Sequence, residues 1–266
     1  MKLDTNGNFY TFIYAAVLVI VVAAGLAFTA IKLQPMQEEN VRVEKMQNIL
    51  QSIGLDPTTE NASELYEQYI KKDFVVNIEG EEIEGKGFDV NMKKESRKTF
   101  KINTLKGKME KADDSEKEAF QKEIDEVKST IELPVYVGEK DGETIYILPL
   151  QGKGLWGPVW GYIALKDDFN TIKGAVFDHK AETPGLGADI NKDWFEDPFQ
   201  GKTLFEGDEF VSVTLYKGGK GSAVIAGDTN HGCDAISGGT ITSKGVERML
   251  KEEWFYNYEA FLKRNK

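Results

Sequence analysis

Cysteine is nearly missing from this chain. Cys233 is the one thiol in 266 residues, so no disulfide can close within it. Histidine is almost as scarce, with only His179 and His231. Two imidazoles leave little material for a Ser-His-Asp hydrolase, and His231-Gly-Cys233 lacks the paired spacing of a zinc site. Both histidines are therefore read as loop or packing positions. Basic residues are outnumbered, 33 Lys and Arg against 44 Asp and Glu, for a net charge of −11. That balance argues against nucleic-acid binding, which needs a basic stripe to neutralise phosphates. Charge of either sign is absent altogether between Asp4 and Lys32.

That uncharged gap is itself a feature. Phe9 to Ile31 is almost wholly apolar, and at ~1.5 Å per residue it spans roughly 34 Å, enough for a bilayer. Tyr10 and Tyr14 sit toward one end as an interfacial belt would. A cleaved signal peptide has a shorter apolar region and a clearly basic start. Here the run is longer and its start holds both Lys2 and Asp4, so the stretch is predicted to be an uncleaved anchor. Lys2 on one side and Lys32 on the other leave the positive-inside rule nearly silent, so the charges do not orient it.

The remainder has the composition of a globular protein, 41% hydrophobic and 29% charged. Three parts are predicted: an anchor over 1–35, a helical and strand-pair region over 36–133, and a strand-rich domain over 134–266. After Pro35, Val43, Met46, Ile49, Leu50 and Ile53 mark a polar helix ending at Gly54 and Pro57. A short helix follows over Ser63 to Lys71, then a strand pair, Phe74 to Ile78 and Glu82 to Val90, across Glu79-Gly80. Met92 to Ile131 is dense in Lys and Glu and reads as a solvated helical insertion, with a capping box at Ser115-Glu-Lys-Glu118. From Pro134 short strands alternate with glycine turns: Thr144 to Leu150, Val159 to Leu165, Thr171 to Asp178, Phe210 to Tyr216 and Ser222 to Ala226. Gly152-Lys-Gly-Leu-Trp-Gly157 formally fits G-x-G-x-x-G, but a strand-like run follows where a dinucleotide fingerprint needs a helix.

The most informative stretch is Asp234-Ala-Ile-Ser237-Gly-Gly-Thr240-Ile-Thr242-Ser243. Behind it Val246, Met249, Leu250, Trp254, Tyr258, Phe261 and Leu262 recur at helical spacing, with Thr242 or Ser243 as the expected N-cap. A glycine turn feeding a helix N-terminus offers free N–H groups and the positive end of the helix dipole, which suits a phosphate. Of the hydroxyls, Ser237 suits the turn and Thr242 and Ser243 the cap, which leaves Thr240 between them.

Asp-x-x-Ser-Gly-x-Thr followed by x-Thr-Ser resembles the attachment motif of the FMN-binding domain family, in which a threonine carries FMN through a phosphoester. Matched position by position, the acceptor falls on Thr240, with Asp234, Ser237 and Gly238 ahead of it; Gly239 stands where the family usually has Ala. Two further segments strengthen the likeness: Gly152-Lys-Gly-Leu-Trp156, and Glu182-Thr183-Pro184-Gly185-Leu186-Gly187 trailed by Trp194 and Phe199-Gln-Gly-Lys202. Together they resemble the flavin-carrying C subunits of sodium-translocating NADH:quinone reductases. The related G subunits of Rnf-type electron-transport complexes share Glu-Thr-Pro-Gly-Leu-Gly.

The resemblance implies an α+β fold, a single N-terminal transmembrane helix followed by a mixed-sheet FMN-binding domain flanked by helices. It implies covalent FMN on Thr240, with Ser237, Gly238, Gly239 and Thr242 around the attachment point. Glu182, Thr183, Gly185, Leu186 and Gly187 would approach the ring, with Lys153 and Trp156 near the phosphate or ring. It implies an electron relay with the domain on the outer face of the cytoplasmic membrane, working with the other reductase subunits and membrane lipid and matured by a separate flavin transferase. An Rnf-type relay and a membrane-tethered module without flavin are the alternatives. No acidic residue lies inside the anchor, so the chain is not expected to conduct sodium by itself.

Overall fold

The computed structural model describes residues 7–266, so Lys2 and Asp4 at the anchor's flank lie outside it. The chain divides into two units, the first ending at Met46 and the second running Gln47–Lys266. The first is the larger part of one helix, α1 (Asn8–Ser52). Its apolar side chains from Phe9 to Ile31 are largely exposed, and by length and composition the helix can cross a membrane. The separate polar helix expected after Pro35 is instead the continuation of α1. Proline removes only one helical donor, and Leu33, Gln34, Met36, Gln37 and Glu38 on either side are good helix formers.

The second unit is built on a six-stranded antiparallel sheet. Its strands are β1 (Ile70–Val76), β2 (Glu82–Ile83), β3 (Leu133–Lys140), β4 (Glu143–Lys153), β5 (Pro158–Leu165) and β6 (Ile172–His179), in the order β2-β1-β3-β4-β5-β6. The β3–β4 hairpin turns on Asp141-Gly142, both at positive φ as a tight two-residue turn requires. Side chains alternate between the faces. Leu148, Leu150, Val159 and Ile163 join the larger core, while Ile145, Ile147, Tyr136 and Tyr162 pack with Ile49, Leu50 and Ile53 at the end of α1.

α2 (Ala62–Tyr69) leads directly into β1. β2 is far shorter than the strand expected through Val90, because Gly85 turns at φ +143° and a Cβ on Gly87 would press on Phe74 O at 2.9 Å. The charged segment forms a helical hairpin, α3 (Met92–Met109) and α4 (Asp114–Lys128). It is more than a wet insertion, since Ile102, Leu105, Ile124 and Ile131 are buried in the larger core. Asp113 caps α4 by accepting from Glu116 N–H at 3.0 Å; the Ser115 side chain lies outside the described residues.

The C-terminal third holds α5 (Asp193–Glu196), β7 (Phe205–Glu206), β8 (Glu209–Phe210), β9 (Thr214–Tyr216), α6 (Ser222–Ile225), β10 (Gly232–Asp234), α7 (Thr240–Arg248) and α8 (Glu259–Asn265). The expected strand over Phe210 to Tyr216 is split at Ser212, which takes φ +52° and donates its buried hydroxyl to Leu250 O at 2.9 Å. The expected strand over Ser222 to Ala226 is α6 instead. The Asp234 carboxylate accepts from Gly221 N–H, Ala223 N–H and Ser222 Oγ and so fixes a helical turn. The single final helix is also interrupted: α7 passes through a π-helical turn, Met249–Glu253, and breaks at Trp254. Trp254 is fully buried and donates its indole N–H to Pro149 O at 2.8 Å, so anchoring the ring overrides helical continuity.

Glu196 ties α5 to β6 by accepting from Phe177 N–H at 2.6 Å. Burial pushes its carboxyl up to about 7, the hydrogen bond opposes this, and Asp193, Asp178 and Asp197 add to it. The folded chain therefore keeps a proton there that the unfolded chain loses above its ordinary carboxylate pKa, about 4.3. Its contribution to stability is full below that pH and is lost as pH rises toward 7. The melting temperature of the parent chain is expected to fall more steeply between about pH 5 and pH 7.5 than that of Glu196→Gln. Equal slopes would contradict this assignment.

Candidate flavin site

Three loops build the site. The β4–β5 turn closes with Gly154 N–H donating to Gly157 O at 2.8 Å and carries Leu155 and Trp156 outward. Beyond β6, Thr183 O accepts from both Leu186 N–H and Ala188 N–H at 3.1 Å. Gly185 turns there at φ +74° and donates to Asp189 Oδ1 at 3.0 Å. This folds Thr183–Asp189 on itself, leaving Thr183, Pro184 and Leu186 exposed. The third loop, Ile236–Gly239, turns on Gly238 at φ +79° and delivers the chain into α7.

Glu182 joins them. It is buried, accepting from Trp156 N–H at 2.8 Å and from Thr242 Oγ1 at 2.5 Å, while its own N–H donates to His179 Nδ1 at 3.2 Å. The glycines make the approach feasible. A Cβ on Gly187 would overlap Thr242 Oγ1 and stand 2.7 Å from Glu182 Oε2, and one on Gly154 would stand 2.5 Å from Glu182 Oε1. Gly238 and Gly239 meet Leu186 in the same way, at 2.8 Å from its Cδ2 and 3.1 Å from its carbonyl carbon.

Glu182, Gly187, Leu186, Gly238, Gly239, Thr242 and the backbone of Trp156 thus come together, with Thr240 and Ser237 on the same loop and Thr183 and Gly185 on its neighbour. Lys153 is only partly of this group. Its carbonyl lies where a Cβ on Gly245 of α7 would be, but its side chain leaves the opposite face of β4 from Gly152 and Gly154.

The expected cap is different. Gly239 occupies the N-cap of α7, and among the described residues no side chain caps the helix. Thr242 points away from the helix start to Glu182. Ser243 Oγ donates to Gly239 O at 3.1 Å and accepts from Ile236 N–H at 3.0 Å. Both hydroxyls are buried, whereas Thr240 and Ser237 make no side-chain hydrogen bond among the described residues. His179, expected only as a loop or packing position, and Gly154, expected only as part of the Gly152–Trp156 motif, both bear on Glu182. Gly245 and Lys217–Gly221 are additions from the structure; Gly219 lies beside Ser237, a Cβ there reaching 3.7 Å from Ser237 Cβ. His231 is a packing residue, its Nδ1 2.7 Å from Thr203 O.

These three loops lie within residues 154–253, which match the FMN-binding domain family, and that is the class the fold and site define. The C subunit of Na(+)-translocating NADH-quinone reductase from Haemophilus ducreyi is 30% identical over 235 residues, 86% of this chain and 82% of the relative. Its counterpart in Pasteurella multocida is 30% identical over 256 residues, 94% and 90% of the two chains. A crystal structure of the same reductase component from Parabacteroides distasonis superposes with a TM-score of 0.68 at 36% identity, covering 86% of this chain and 96% of that one. NqrC of Shewanella oneidensis gives 0.61 at 25%, covering 84% and 96%. The chain belongs to the NqrC family, the C subunits of Na(+)-translocating NADH-quinone reductases.

Removing the Glu182 carboxyl orphans a half-buried N–H and a buried hydroxyl. Glu182→Ala is expected to lower stability by about 2–4 kcal/mol in urea unfolding of the detergent-solubilised chain, about 1–3 kcal/mol for the buried hydroxyl and about 1 kcal/mol for the half-buried N–H. Glu182→Gln, which keeps an acceptor for Trp156 N–H, is expected to lose less than half of that. Equal losses would show that packing, not hydrogen bonding, holds the loops.

Proposed function

We propose that the chain is the membrane-anchored flavin subunit of a sodium-translocating NADH:quinone reductase and carries FMN as a phosphoester on Thr240 Oγ1. The observation that carries this reading is the division of labour among the four hydroxyls of the loop. Thr242 and Ser243 are buried and hydrogen-bonded, Ser237 is exposed on the turn, and Thr240 is half-buried at N1 of α7 with no side-chain partner among the described residues. A phosphate on Thr240 would meet the uncapped N–H groups of the first turn and the positive end of the helix.

The surrounding residues fit such a group. Gly238 and Gly239 leave no side chain between Leu186 and the attachment loop. Leu155, Trp156, Leu186 and Ile241 are exposed apolar side chains around the Glu182 centre, which suits one face of a flat ring. In this reading Thr183 and the backbone of Gly185 and Gly187 line the ring's polar edge. Lys153 gives positive charge to the flank of the site. FMN would supply the redox chemistry when bound, and the protein would tether it, shield it and tune its potential. Attachment requires a separate flavin transferase.

The same reading retains residues 1–35 as an uncleaved anchor whose apolar run lies in α1, with the domain on the outer face of the cytoplasmic membrane. Flavin contacts then come from residues 134–266, with 36–133 as support. The partners are the other subunits of the reductase and membrane lipid.

In protein matured with its transferase, Thr240→Ala is expected to abolish fluorescence of the denatured band on a gel. Thr242→Ala should keep most of it while losing about 1–3 kcal/mol of stability, since it removes a buried hydrogen bond to a carboxyl group. Full fluorescence in the Thr240 variant, or loss confined to the Thr242 variant, would overturn the assignment. For the anchor, N-terminal sequencing of membrane-extracted protein should begin at Met1 or Lys2. A start near Ala30 would mean cleavage.

A further inference from the structure

A second concave site lies at the hairpin end of β4 and β5, with Lys153 in its lining. It is a cleft of about 730 Å³ between α3 and the ends of β4, β5 and β6, bordered by the C-terminal end of α7. That volume falls in the usual range for ligand clefts, roughly 300–1,000 Å³. Lys93, Arg97, Lys153, Lys180 and Arg248 line it against one carboxylate, Glu253. Glu253 is already engaged by Arg248, at 3.1 Å. The other four cations have no ion-pair partner among the described residues. In a chain of net charge −11 this is a local reversal of sign.

We propose that this cleft docks a short acidic and apolar segment of another protein subunit. Three features select that occupant. First, the cations come from several elements, with Lys93 and Arg97 one turn apart on α3 and Lys153 and Lys180 from strand ends. A run of carboxylates matches them better than one compact anion does. Second, the lining is also apolar: Phe100 is 71% exposed, and Pro158 and Trp160 contribute beside it. An inorganic anion gains nothing from these surfaces, whereas alternating side chains of a peptide cover them. Third, the α3 wall extends from Lys93 to Asn103, roughly 15 Å at the helical rise, the length of four or five extended residues. An anionic bilayer is disfavoured as occupant by the excess negative charge of the whole chain.

The wall is held in place. Glu95 of α3 is buried, pairs with Lys98 at 2.8 Å and accepts from Glu132 N–H at 3.0 Å at the entry to β3. The relatives of this chain are named as one subunit of a reductase, so neighbouring polypeptides are the natural source of such a segment. The cleft shares Gly157 of the β4–β5 turn with the flavin site and Lys153 flanks both, while its remaining lining residues lie outside the flavin loops; its occupation does not depend on flavin.

The test uses the full chain in detergent micelles, with and without flavin, and a dye-labelled octapeptide of alternating aspartate and leucine read by fluorescence anisotropy. Saturable binding is expected, equal for the two forms. It should weaken about tenfold or more in Lys93→Glu/Arg97→Glu, as for paired charges at an interface, and several-fold in Lys180→Glu, which alters a different wall. It should weaken comparably when salt is raised from about 0.05 to about 0.5 M. A lysine–leucine octapeptide should not bind. The proposal is overturned by absent binding, by equal affinity for parent and both variants, or by equal binding of the lysine peptide. It is also overturned if millimolar inorganic phosphate alone empties the site, or if only vesicles containing anionic lipid bind in a variant-sensitive way. Loss of covalent flavin from Thr240→Ala with peptide binding intact would leave the two proposals cleanly separated.

Discussion

The carboxyl group of Glu182 joins parts of the chain that are 60 residues apart in sequence, accepting from Thr242 Oγ1 at 2.5 Å and from Trp156 N–H at 2.8 Å. A buried carboxyl is costly unless its oxygens are satisfied, and here each oxygen has a donor from a different loop. The requirement runs both ways. Thr242 and Trp156 N–H would themselves be orphaned without Glu182, so the hairpin tip, the loop after β6 and the first turn of α7 are fixed as one object. Thr242 is thereby removed from both capping and competition as a nucleophile.

Glycine makes that convergence sterically possible. Gly154, Gly187, Gly238, Gly239 and Gly245 each stand where a Cβ would meet another loop at 3.2 Å or less. Close backbone approach leaves α7 uncapped at Gly239 while Ser243 secures the turn behind it. The helix itself is anchored further along by Met249 against Gly152 and by Trp254 on Pro149 O. The loop that receives the cofactor in the proposed reading is therefore backed by the larger core, not by local contacts alone.

Much of this was legible in the sequence. The apolar run of Phe9 to Ile31, the strands near Thr144–Leu150, Val159–Leu165 and Thr171–Asp178 and the failure of Gly152–Gly157 as a dinucleotide fingerprint follow from composition, periodicity and flanking residues, whereas β3 and the antiparallel order do not. The Ser-Gly-Gly-Thr turn and the Glu-Thr-Pro-Gly-Leu-Gly loop stood out as motifs, but their contact did not, since nothing local pairs Glu182 with Thr242. Other misreadings share that cause. Ser222 to Ala226 has strand-like composition, yet Asp234 captures its N–H groups from outside. The last helix is periodic through Leu262, yet the indole of Trp254 is satisfied by a carbonyl 105 residues away. In each case a long-range hydrogen bond outweighed a local preference worth less than about 1 kcal/mol per residue.

Which atom holds the flavin decides the proposed reading, and fragmentation mass spectrometry addresses that atom directly. In protein matured with its transferase, the tryptic peptide following Lys220 and ending at Lys244 should carry the mass of one FMN less one water. Fragment ions should place that addition on Thr240. An unmodified peptide, or an addition on Ser237, Thr242 or Ser243, would contradict the account.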